Sequence, residues 1–136
     1  MPTSYEALAL LIALLSALYA RWAVKEAKRA NHISLHQYRK DIYDAFRHLT
    51  MHMTQHADQA VLSEVNKFYH PSRNAKFYFD SELAKEIERY FDLCFNIADK
   101  SKTQQVRSIT ISEAHEAEQC ALALNYRLAK VIAVHK

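Results

Sequence analysis

The sequence predicts an all-α protein in which an N-terminal single transmembrane helix continues into a long amphipathic helix, packed with two further helices as a cytoplasmic bundle. Three observations predict it. Glycine is absent from all 136 residues and proline occurs only as Pro2 and Pro71, so tight turns, β-bulges and left-handed helix caps lack the residue that forms them most easily. What remains is rich in Ala, Leu, Glu, Lys, Gln and Arg, the good helix formers. Finally, Ala7 to Val24 carries one charge, Arg21. A chain of this length supports one substantial core, and the expected division is a membrane anchor with a basic juxtamembrane segment over residues 1–30 and a helical bundle over residues 31–136.

The first helix starts near residue 4, because Thr3 and Glu6 have capping-box spacing. Ala7 to Ala20 is uncharged and its one polar side chain is Ser16, whereas a helix lying on a soluble core keeps a polar face. Eighteen residues rise about 27 Å, close to the roughly 30 Å hydrocarbon layer. Tyr5, Tyr19 and Trp22 sit where interfacial aromatics belong, and Arg21 is near enough to one end to snorkel. A cleaved signal peptide fits poorly: no Lys or Arg precedes the apolar run, and "YARWAVKEAKR" lacks the small-residue cleavage pattern. Residues 1–40 hold six Lys or Arg against two acids, four of the six being Arg21, Lys25, Lys28 and Arg29. The rest of the chain is close to neutral. By the positive-inside rule the N-terminus faces out and the bundle lies in the cytoplasm, at an inner membrane whose anionic lipid the basic run meets. Ala9, Ala13 and Ala17 form a small-residue row suited to close helix approach in lipid, hence to a homo-oligomer.

Beyond it, Ser34 and Gln37 have the spacing of a second capping box. From Leu35 through Tyr38, Ile42, Phe46, Leu49, Met53, Ala57, Val61 and Val65 to Phe68, apolar residues recur every three or four positions, which predicts one long amphipathic helix. "YHPSRNAKFYFDSE" breaks it, since the residue before a proline avoids helix and Asp80 or Ser81 suits a cap. A third helix follows from Ser81 to about Asp99 with Leu83, Ile87, Tyr90, Phe91, Cys94 and Ile97 inward. A fourth starts at a Thr110–Glu113 capping box and ends near His135 with Ala114, Ala117, Ala121, Leu124, Leu128 and Val131 as its stripe.

Two patterns are candidate sites. His48, His52 and His56 lie at i, i+4 and i+8; adjacent members suit zinc, nickel or copper, but the outer two are about 12 Å apart along the axis and no carboxylate or cysteine completes a set nearby. Arg73, Lys76 and Tyr78 join cations to stackable rings, a combination that holds nucleotides and other anions; the competing expectation is that Phe77 and Phe79 anchor the loop while Tyr78 and the cations face water. Cys94 and Cys120 have no ligand spacing and read as reduced, buried hydrophobes. Without glycine there is no P-loop or dinucleotide-binding motif, and no Glu-x-x-His element for a di-iron bundle occurs. No cofactor and no catalytic residue is expected, and the neutral bundle argues against nucleic acid as a partner.

The expected function is therefore non-enzymatic: a single-pass membrane protein whose cytoplasmic helical domain oligomerises and acts through a protein partner. A second expectation is a membrane effector whose bundle senses a small anionic or nucleotide signal. Its layout is similar to that of compact membrane effectors in bacterial defence systems. A third is a soluble interaction module whose first helix is buried.

Overall fold

In the computed structural model, which describes residues 3–103 and 107–133, every extended element is helical. The order is α1 (Ser4–His56), a 3-10 turn (Ala57–Gln59), α2 (Leu62–Asn66), α3 (Tyr69–Asn74), a second 3-10 turn (Ala75–Phe77), α4 (Ser81–Thr103) and α5 (Arg107–Ala133). The chain divides into two compact units, Met1–Leu35 and His36–Lys136.

The first unit is one half of α1. It begins as its cap predicts, with the Thr3 amide donating to Glu6 Oε2 at 3.0 Å and the Thr3 carbonyl accepting from the Glu6 and Ala7 amides. By length and composition α1 is the described helix apolar enough to cross a membrane. The first helix continues into the next as expected: helix runs through Ser34, whose capping-box spacing is not used, and Gln37 donates to Asp41 Oδ1 at 2.9 Å rather than turning back to cap. Nothing in "RANHISLHQ" forbids helix, so propagation wins over a local alternative cap.

The second unit is a small helical bundle centred on Phe46, which is fully buried, with its ring 5.3 Å from Tyr90 in an edge contact and 6.3 Å from Phe68. The Phe68 contact corrects the expected helix through residue 68. A straight helix would hold residues 46 and 68 about 33 Å apart along its axis. Instead the chain reverses after His56: Ala57 takes φ 47°, Ala60 and Val61 are extended, and α2 turns Val65 and Phe68 inward. The two rings can meet only because of that reversal. The free end of α2 is held by a side chain, the Val61 amide donating to His52 Nε2 at 3.0 Å.

The segment around Pro71 is also more helical than its sequence implies. Pro71 is the third residue of α3, where a missing N–H costs nothing because first-turn amides have no intrahelical partner. Buried Ser72 closes that turn by donating from Oγ to the Tyr69 carbonyl at 2.7 Å. Asp80 caps α4, its Oδ1 accepting from the Leu83 amide at 2.7 Å. All six expected inward residues of α4 are buried, though the helix continues about one turn past Asp99.

Helix α5 lies antiparallel to α4, as three ion pairs record: Lys100 with Glu113, Arg89 with Glu116 at 3.0 Å, and Arg127 with Glu86. The Lys100 pair replaces the expected cap, since α5 already begins at Arg107 and Glu113 sits in its second turn. Thr110's side chain and the expected end at His135 lie outside the described residues. Ala117, Leu124 and Leu128 are buried, while Ala114, Ala121 and Val131 are half-buried against the core.

Candidate functional site

The apolar face of the first unit is uncovered. Leu8, Leu10, Leu11, Ile12, Leu14, Leu15 and Leu18 are exposed, at between 56% and 64%, and no residue of the apolar 18-residue window is buried. Tyr5 is exposed at its start, and the Tyr19 and Trp22 rings meet 6.0 Å apart at its end. Arg21, Lys25, Lys28 and Arg29 follow, all exposed. Lys25, Lys28 and Arg29 share one face by their three- and four-residue spacing. The Ala9, Ala13 and Ala17 row is exposed as well, so close helix approach there is sterically open.

In the second unit Arg73 is already occupied. Its guanidinium sits 3.2 Å from Glu88 and 3.3 Å from Asp92, and lies over the Tyr69 and Phe91 rings at 5.4 and 5.9 Å. Two carboxylates offset its charge, and its role is to tie α3 onto α4. Lys76 lies over the exposed Phe77 ring at 5.2 Å. Tyr78 faces another way: half-buried, it stacks on Tyr38 with centroids 5.0 Å apart, and its carbonyl accepts from Arg39 Nε at 2.7 Å. Of the two expected anchors only Phe79 is buried, with Arg39 over its ring. The three candidate anion ligands therefore do not converge on a common point.

The histidine row has a different outcome at each member. His52 is buried, its ring 4.5 Å from that of His56, and its Nε2 is engaged by Val61. Accepting that bond requires a neutral imidazole with its proton on Nδ1. Burial pushes its pKa below the usual value, helped by neighbouring His56 and opposed by Glu64. His48 and His56 are exposed. Among the described residues no group of three His, Cys, Asp or Glu side chains is placed to hold a metal ion. Cys94 and Cys120 are both free thiols; burial pushes Cys94 up to about 12, which leaves almost no thiolate at neutral pH.

What sequence reasoning missed is a groove of about 550 Å³ between the second half of α1 and α5, floored by Tyr90 and Met53 and walled by Ala114, Ala117 and Ala121. The alanines were legible as a stripe. Which of them would face a neighbouring helix and which an open space depends on the angle between α1 and α5, and no local pattern encodes that. Comparison of the chain with protein-family models, curated proteins and solved structures returns no match.

Proposed function

We propose that this chain is a non-enzymatic single-pass membrane protein, with its N-terminus outside and its helical bundle in the cytoplasm of a bacterial-type cell, acting as a homo-oligomer through binding. The observation that carries the reading is the uncovered apolar window. Seven large aliphatic side chains left about 60% exposed represent on the order of 10 kcal/mol of unrealised burial, an expense that lipid removes. In lipid a helix is a permitted element because its backbone groups are paired internally. Arg21 opposes insertion least where it stands, three residues before the window's end, beside Trp22 and ahead of the basic run.

The decisive experiment is alkaline carbonate washing of membranes from cells expressing the full chain. The protein is expected to stay in the pellet, and a cytoplasmic C-terminal tag is expected to resist protease until the membrane is opened. Release by carbonate would refute the anchor and assign α1 to a protein interface. A second reading, a ligand-controlled membrane effector, gains support from the groove in the second unit.

A further inference from the structure

We propose that the groove between α1 and α5 binds a small, water-soluble monoanion with an apolar body about 10 Å long. The inference stands on the second unit alone and goes beyond the membrane reading.

The groove's chemistry is graded from one end to the other. At one end, Tyr43 organises two donors. Its ring lies under the Arg47 guanidinium at 5.9 Å, and its hydroxyl donates to Asn125 Oδ1 at 3.1 Å. The second contact fixes the amide so that the Asn125 NH₂ points its two hydrogens elsewhere. Arg47 and Asn125 both line the groove. Arg89, Arg73 and Arg127 each meet a carboxylate, whereas Arg47 makes no ion pair among the described residues. A guanidinium and an amide N–H held by one tyrosine form a donor pair for a carboxylate, sulfonate or phosphate ester.

Seven residues before Asn125 on α5, about 10 Å along the axis, Glu118 also lines the groove. Glu118 stands midway, the lining continuing past it to His115, Ile111 and Ala57; it repels an anionic head placed beside it and so favours a ligand with its charge toward Arg47. Between Asn125 and Glu118 the α5 lining is Ala121 and Leu122, with Met53 and Tyr90 also lining the groove. Thr50 and Thr54 leave no hydroxyl donor free there, since each spends it on a carbonyl of α1. That stretch favours an apolar body. The volume lies within the roughly 300–1,000 Å³ span of small-molecule sites, and Glu118 disfavours a second anionic group placed beside it.

The test uses the full chain, in zwitterionic nanodiscs, or in buffer should carbonate release it, so that failure of the anchor and failure of the site are read separately. Carbon-13 methyl labelling of methionine gives resonances for Met53 in the groove and for exposed Met51 outside it as an internal reference. Titration with naphthalene-2-sulfonate is expected to shift Met53 saturably and leave Met51 in place. Arg47→Gln is expected to weaken binding about ten-fold, the effect of losing one charge-assisted contact, and the neutral analogue 2-naphthalenemethanol is expected to bind the wild type more weakly and to ignore the substitution. Arg47 is exposed, so folding is not at stake; the two probes on unaltered protein give an independent reading in any case. No saturable Met53 shift, equal affinity for both probes, or equal affinity of wild type and R47Q would overturn the proposal.

Discussion

Replacing Ala57 by glycine is expected to stabilise the bundle, the reverse of what glycine does in a helix. Ala57 has φ 47°, the left-handed region, where the Cβ of an L-residue costs roughly 1–2 kcal/mol. Glycine removes that cost but adds about 0.5–1 kcal/mol of unfolded-chain entropy. The balance is a gain of about 0.5–1 kcal/mol. The side chain of Ala57 is exposed, so little packing is lost on truncation. For a unit of 101 residues, 36 to 136, that gain raises Tm by about 2–6 °C. The assay is thermal unfolding followed by helical circular dichroism, with Ala123→Gly as the control. Ala123 is exposed within α5, where glycine costs about 1 kcal/mol relative to alanine. A57G should raise Tm and A123G should lower it. If both lower Tm by similar amounts, residue 57 is in an ordinary helical conformation and the reversal after α1 is wrong.

Two further expectations concern buried titratable groups. His52 has its pKa lowered from 6.5 by burial, with His56 and His48 adding to the effect, Lys67 acting in the same direction and Glu64 opposing; the unfolded chain therefore binds the proton more readily, and His52's contribution is complete above pH 6.5 and is lost as pH falls below it. His52→Ala, which strands the Val61 amide, is expected to cost about 1–3 kcal/mol at pH 8 and less at pH 5; a cost that does not shrink with acidification would refute neutral His52 as the acceptor. For Cys94, a thiol raised to about 12 is ionised to about one part in ten thousand at pH 8, so iodoacetamide should leave it unmodified in the native protein and alkylate it in urea, as peptide mass spectrometry would show. Native alkylation at the unfolded rate would place Cys94 outside the core.

Local signals were legible where a side chain acts on its own neighbourhood. The Thr3–Glu6 cap, the Asp80 cap and the six buried positions of α4 all depend on interactions within one or two turns, and each is readable as a spacing. The reversal at Ala57 depends on something else. The stripe from Leu49 through Val61 is helical in period, and no glycine or proline marks the break. The chain turns there because Phe68 gains a place against Phe46, a contact between residues 22 apart in sequence. Arg73 misled for a related reason: beside Lys76 and three aromatics it reads as an anion ligand, and its two acidic partners lie on a helix that begins eight residues later. The groove was illegible because its donor pair comes from α1 and α5, with Tyr43 and Asn125 separated by 82 residues.

The absence of glycine links these misses. A helical protein must still break its helices: this one ends α1 with a left-handed alanine at 57 and a buried histidine accepting an amide beyond the break, and starts α3 with a proline where its missing N–H is harmless. Two of these three devices stand at the α1–α2 reversal, and Ala57 also lines the groove at the end away from Arg47. The strained residue thus lines the groove, and the titratable acceptor His52 stands in the same reversal. It is the α1–α2 reversal, through Ala57, that closes one end of the groove.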